Sequence, residues 1–158
     1  MELNELMSAF AETLGIDGIE VKDGICSMTI DDIPMDFTET PDGLAVVGVA
    51  VVGEPPPDKR EAFYEMLLQA NTQLYGTQGI ALGKSPDTGE IMLIGGLPFK
   101  GLELKEFCKD LDEFVSKAEE WREALENFRP AAEEAAVRDE EEAQFRRFGM
   151  NGPGFMSV

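Results

Sequence analysis

The chain has 158 residues, the length of one ordinary domain, and 32 Asp or Glu against 13 Lys or Arg give it a formal net charge of -19. A surface this negative repels nucleic-acid phosphates and anionic membranes, so we expect a basic or amphipathic partner instead. The chain has no histidine, which excludes a Ser-His-Asp or Cys-His site and removes the commonest metal ligand.

The N-terminal segment has the pattern of an amphipathic helix. Apolar residues recur three and four positions apart over residues 2–14, and Gly15 follows as a left-handed stop. The apolar stripe of this first helix consists of Leu3, Leu6, Met7, Phe10 and Leu14.

Short β-rich runs separated by turn residues follow the first helix. They read IEV, then ICSMTIDD after Asp23-Gly24, then PMDFTET before Pro41, and they predict strands joined as hairpins. The next run, residues 44–52, is apolar at both odd and even positions. We expect this of a strand that has helices on one side and a partner or client on the other.

A second helix is predicted after three consecutive prolines, Pro55–Pro57. Asp58 and Glu61 have the spacing of a capping box at its start, and Gly76 is the predicted stop. Its apolar stripe comprises Phe63, Met66, Leu67, Ala70 and Leu74. Two strand-like runs, IALGK and IMLIGGLPF, flank a turn of sequence SPDTG.

The third helix is the longest, with an apolar stripe that continues from Leu104 to Phe128 and stops at Pro130. The predicted elements follow one another in the order helix-β-β-β-helix-β-β-helix. This order predicts an α+β fold with helices packed on a mostly antiparallel sheet. We predict one domain over residues 1–129. Residues 130–158 are predicted to form an acidic C-terminal tail that is partly helical or flexible.

Motifs that could carry chemistry do not meet the spacing that the chemistry needs. The run from Gly79 to Ser85 has three residues between its glycines, where a phosphate-binding loop has four, and leads into a turn instead of a helix. Cys26 and Cys108 without histidine cannot supply four zinc ligands, and we interpret them as packing residues. The sequence therefore predicts no enzyme activity, no metal and no cofactor.

Residues 66–125 resemble the class I chaperones of bacterial type III secretion, the Tir chaperone family. The resembling features are an LLQAN helix end, a G-x-A-L strand, a D-x-x-G turn, an LP-x-x-G-L link and a long helix that finishes in A-E-x-W. The resemblance extends over residues 2–128 and implies the same element order as the periodicity does. Residues 130–158 depart from the family pattern.

The resemblance implies a homodimer in the bacterial cytoplasm that binds the N-terminal segment of a secreted effector protein in extended form. Such a chaperone keeps its client soluble and competent for secretion, and binds neither nucleic acid nor the membrane interior. We predict that the partner-binding residues are Leu3, Leu6, Phe10, Met35, Phe37 and Val47. The predicted dimer-interface residues are Phe63, Met66, Leu67 and Leu74.

Other interpretations stay open at this point. Each apolar residue taken alone is more often a core residue than a contact residue. A regulatory or structural protein of the same fold, without an effector client, has the same sequence pattern. An enzyme that uses carboxylates alone needs several of them converging in a deep pocket, and a mimic of DNA needs carboxylates in a row along one face.

Overall fold

The computed structural model describes residues 2–149, and for residues 75–78, 131–132, 134 and 148–149 it describes the backbone alone. The chain divides into two compact units, of which the first ends at Asn127 and the second begins at Phe128. The domain boundary near Pro130 stays a prediction, because this division does not show that either part folds alone. The end of the predicted tail, residues 150–158, lies outside the described residues.

The first unit contains three helices and a six-stranded sheet. The helices are α1 (Leu3–Leu14), α2 (Arg60–Gln78) and α3 (Leu104–Glu126), and the strands are β1 (Glu20–Lys22), β2 (Ile25–Ile30), β3 (Ile33–Glu39), β4 (Ala45–Gly53), β5 (Ile80–Lys84) and β6 (Ile91–Pro98). The sheet has the order β1-β2-β3-β4-β6-β5, and each neighbouring pair is antiparallel. The α+β prediction with a mostly antiparallel sheet is confirmed, but four strands lie between α1 and α2 where the predicted order had three.

Helices α1 and α3 begin with the same capping-box interaction. The main-chain N–H of Glu2 donates to the carboxylate of Glu5, and that of Glu103 donates to the carboxylate of Glu106. These carboxylates lie in the first helical turn, where they also interact favourably with the helix dipole. Gly15 follows α1 with a φ of 67°, which confirms the predicted left-handed stop.

The ends of α2 differ from the prediction. The residue before the helix is Lys59, with a φ of 59°, so the predicted start at an Asp58 capping box is wrong. The helix also continues through Gly76 to Gln78, and Gly79 takes the left-handed position with a φ of 64°. Packing of α2 against β5 extends the helix past a glycine at which propensity alone would end it.

Along β2 to β6, buried residues alternate with half-buried or exposed ones, so the core lies on one face of the sheet. On β4, Val46, Ala50 and Val52 are buried, while the residues between them are only half-buried. Helix α3 packs on β4 and β6, and α2 packs on β5. The ring of Phe114 on α3 meets that of Phe37 on β3 edge to face, with 6.1 Å between ring centres. The other face of the sheet is the open face.

The second unit contains, among the described residues, residues 128–130 and the helix α4 (Ala131–Gly149). Its sequence is rich in Ala, Glu and Arg, and Arg146 lies 3.7 Å from the carboxylate of Glu142, one turn away. Phe145 is 78% exposed. A polar helix over residues 131–147 is what the composition led us to expect.

Candidate partner-binding surfaces

The open face of the sheet has a polar half and an apolar half. Strands β2 and β3 contribute the polar half, where Ser27 Oγ donates to Asp36 Oδ1 at 2.6 Å and Thr29 and Thr38 are exposed. Ser27 and Asp36 are register partners, so their side chains lie side by side on this face. A polar half of this kind is what an antiparallel sheet presents to water.

Strands β4, β5 and β6 contribute the apolar half, which we call the apolar stripe. The register places Val49 beside Ile94 and Val51 beside Met92 on neighbouring strands. All members of the stripe are half-buried and none is charged; they are Val47, Val49, Val51, Ala81, Met92 and Ile94. Contiguous apolar surface of this kind marks an interface more often than it marks solvent-facing sheet.

The predicted dimer residues of α2 divide between core and surface. Phe63 and Leu67 are buried, while Met66 and Leu74 are half-buried. Among the α2 side chains that the structure describes, the large apolar residue that is exposed is Leu68, with 69% of its surface accessible. Sequence reasoning missed Leu68 because it interrupts the helical stripe. The signal that could have identified Leu68 as a surface residue is that it is apolar but lies outside the apolar stripe of its helix.

Five of the six predicted partner-binding residues belong to the core of the first unit. Their exposed fractions do not exceed 6%, and they are Leu3, Leu6, Phe10, Met35 and Phe37. Val47, the sixth, lies in the apolar stripe of the open face. The structure therefore places all five in the core and Val47 on the open face, and two of the five, Leu3 and Leu6, also line a groove beside the start of α1. Their contact with a client stays a prediction.

A groove of about 730 Å³ opens beside the start of α1, and we call it the α1 groove. Its lining includes Glu2, Asp23 and Glu39, with Lys100 as one basic residue. Leu102 and Leu104, which are 39% and 37% exposed, add accessible apolar surface to the lining. A groove lined by both apolar and acidic side chains is suited to a segment in which Lys or Arg flanks an apolar residue.

The edge of the sheet at β1 is short and accessible. All three residues of β1 are exposed, and on its inner side Val21 pairs with Cys26 of β2. Because β1 is the last strand on this side, its outer main-chain groups face away from the sheet. An extended peptide can be added at such an edge through main-chain hydrogen bonds.

The carboxyl group of Glu119 on α3 lies against the turn between β2 and β3. A hydrogen bond to Asp31 raises the pKa of Glu119, with desolvation and the charge of Asp31 acting in the same direction. The guanidinium of Arg122 opposes this shift and also donates to the main-chain oxygen of Asp31. The turn residues Asp31 and Asp32 both have positive φ, 49° and 63°, which is the conformation that favours a two-residue β-hairpin turn.

The two cysteines are not reactive centres. Cys26 is buried and Cys108 is half-buried, and burial raises the pKa of both thiols. At neutral pH they therefore stay protonated and are poor nucleophiles. In the described part of the chain, no group of three or more Cys, Asp or Glu residues is placed to hold a metal ion, and no helix is long and apolar enough to cross a membrane.

Comparison with protein families gives one match over most of the chain. The model of the Tir chaperone protein (CesT) family matches residues 5–122. A comparison with curated protein sequences gave no significant match.

Several solved structures share the fold at low sequence identity. A chain of the ExsC-ExsE complex has a TM-score of 0.65 and 19% identity, over 84% of this chain and 99% of that chain. A chain of the HopA1-SchA chaperone-effector complex has a TM-score of 0.60 and 20% identity, over 77% and 93% of the two chains. For the Yersinia pestis type III secretion chaperone SycH in complex with a stable fragment of YscM2, the values are 0.52 and 21%, over 72% and 94%.

Proposed function

This chain belongs to the Tir chaperone protein (CesT) family, and from that premise we propose that it binds part of a secreted effector protein and keeps it soluble and competent for type III secretion. The observation that carries this proposal is the family match over residues 5–122. The shared fold with a chain of a chaperone-effector complex supports it. The chain acts by binding, not by catalysis, since its family is one of chaperones. We propose the bacterial cytoplasm as its location.

The α1 groove and the β1 edge are the proposed sites for the client. An extended segment that pairs with β1 gains main-chain hydrogen bonds, which need no particular sequence. Its apolar side chains then have Leu102 and Leu104 to contact in the groove. Glu2, Asp23 and Glu39 favour a client segment with basic residues beside its apolar ones.

The apolar stripe is the proposed interface of a homodimer. Two copies that each carry a net charge of -19 repel one another, so their association is least opposed at a surface without carboxylates. The stripe meets that condition, and a two-fold axis would place each copy's Val49 and Ile94 against the same stripe of the other. Half-buried Met66 and Leu74 and exposed Leu68 make α2 the second apolar contribution to this interface.

The test of the client proposal is purification of the tagged protein from its native bacterium, followed by mass spectrometry of the proteins that stay bound. We expect a secreted protein, retained through an N-terminal segment that also binds as a synthetic peptide. If no secreted protein is retained from cells with an active secretion system, the regulatory alternative without a client replaces this proposal.

A matched pair of substitutions tests the location of the client. Leu104→Glu places a charge in the α1 groove, whereas Leu14→Glu changes a leucine of similar exposure, 40% against 37%, that does not line it. We expect the first change to weaken client binding by about tenfold or more, as loss of one well-buried apolar contact does. Equal loss in both variants would contradict the groove.

A further inference from the structure

The outer edge of β5 is already occupied by a side chain. β5 is the last strand on its side of the sheet, so the main-chain groups that point away from β6 would otherwise be free to pair with another strand. Asn71 of α2 forms hydrogen bonds with both main-chain groups of Leu82, the central residue of β5. Its Nδ2 donates to the main-chain oxygen of Leu82 at 2.8 Å, and the Leu82 N–H donates to Asn71 Oδ1 at 2.7 Å.

The amide group of asparagine carries the same donor and acceptor as a peptide group. Two bonds to one residue are the pattern that a directly opposite residue makes in an antiparallel ladder. Asn71 therefore stands where a residue of a seventh strand would stand. It is held there by α2, because Phe63 and Leu67, two turns and one turn earlier on the same side of the helix, are buried.

The two edges of the sheet differ in how much protection their own sequences provide. β1 has three residues, of which Glu20 and Lys22 are charged, and short charged edge strands resist pairing between identical chains. β5 has five residues, four of them uncharged and rich in apolar side chains, with one charge at its end, Lys84. In the described part of the chain, the main chain of β1 receives no side-chain bridge of the Asn71 kind.

We propose that Asn71 is an edge guard, which prevents a second copy of this chain from pairing with β5 and so leaves β1 as the edge at which a strand can be added. This role is independent of the client proposal, since it concerns contact between identical chains. A protein that presents unguarded apolar strand edges tends to assemble through them. Asn71 would allow β5 to remain an apolar edge strand without assembly of identical chains through that edge.

The experiment compares Asn71→Ala with Gln69→Ala in the full chain. Alanine favours helix more than asparagine does, so the first change does not act by weakening α2 itself. Gln69 is an exposed residue of the same helix whose side-chain amide bonds to Glu65, so its loss leaves the β5 edge unchanged. Amide hydrogen exchange at Leu82 and light scattering over a range of protein concentrations are measured for both.

We expect exchange of the Leu82 amide to accelerate about tenfold or more in Asn71→Ala, as the loss of one or two hydrogen bonds predicts. We also expect this variant to assemble beyond the wild-type mass as concentration rises, with renewed protection of Ile80–Lys84 in the assemblies. Gln69→Ala should match the wild type in both measurements.

Unchanged protection of Leu82 in folded Asn71→Ala would overturn the guard, and so would faster exchange without any concentration-dependent assembly. If Asn71→Ala does not fold, the same two measurements are made on Asn71→Ser, whose single hydroxyl cannot replace the separate donor and acceptor of the amide. The results that would support or overturn the proposal are the same for Asn71→Ser as for Asn71→Ala. Failure of client binding in the wild type would affect none of these outcomes.

Discussion

Gly95 of β6 lies directly beneath the ring of Phe114 of α3, with two ring carbons 3.0 Å from the position that a Cβ atom on Gly95 would occupy. Its register partner on β4 is Gly48, where a Cβ would stand 3.1 Å from the same ring. Two glycines on adjacent strands thus form a hollow that receives one aromatic ring. This contact sets how closely α3 approaches the centre of the sheet.

Gly95→Ala should destabilise the fold by about 1–3 kcal/mol, because the added methyl group overlaps Phe114 and the packed core cannot yield freely. Gly96→Ala is the matched control, since a Cβ there meets nothing within 4 Å. The control should change stability by less than about 0.5 kcal/mol. Urea unfolding followed by circular dichroism measures the stability of both variants. Equal losses of stability would contradict the claim that the ring of Phe114 needs the space at Gly95.

Phe10→Ala should destabilise the protein by about 3–5 kcal/mol, because the ring is 2% exposed and its removal leaves a cavity. Leu14→Ala, at an exposed position of the same helix, should cost less than about 1 kcal/mol. Thermal or urea unfolding decides between them. Normal stability of Phe10→Ala together with lost client binding would instead support Phe10 as a client contact.

Val49→Lys should convert the proposed homodimer to a monomer, because it places an ammonium group in the middle of the apolar stripe without a partner. Light scattering should then give about 17.3 kDa in place of twice that mass. Thr29→Lys, an exposed position on the polar half of the same face, should leave the dimer intact. A wild-type monomer at micromolar concentration would refute the interface altogether.

Glu119→Gln should alter how stability depends on pH. The pKa of Glu119 is raised in the folded state, so its protonated form favours folding below the ordinary value of 4.5, and this contribution is lost as pH rises through the folded pKa. Glutamine resembles the protonated acid and has no charge to repel Asp31. We therefore expect the variant to gain stability relative to the wild type as pH rises above 4.5.

Denaturant unfolding at a series of pH values from 4 to 8 measures this difference. Glu123→Gln removes the same charge from an exposed position on the same helix and controls for the change in net charge. A constant difference between Glu119→Gln and the wild type across the series would show that the contact with Asp31 does not affect folding.

Periodicity predicted most elements of the first unit because one face of each is buried, and burial requires a regular pattern. Strand β1 is the exception, since all three of its residues are exposed. The stripe of α1 and its stop at Gly15 came from spacing alone, and the strand over residues 44–52 is present as β4. The partner expected on its second face stays a prediction. The start of α2 was wrong because its N-cap, Lys59, is a left-handed residue that no composition rule favours. The sequence around Gly76 does not show the packing of α2 against β5, which allows the helix to continue to Gln78.

By itself, the sequence determined the acidic character, the α+β fold class, and the resemblance that led to the chaperone family. These depend on composition and on neighbours along the chain. Only the tertiary structure decided that Phe10 and Phe37 are core while Val49 remains half-exposed, since apolar spacing does not say what covers a residue. The register of β5 likewise placed Leu82 within reach of Asn71, because hydrogen bonds between separate elements depend on distances that no local pattern contains.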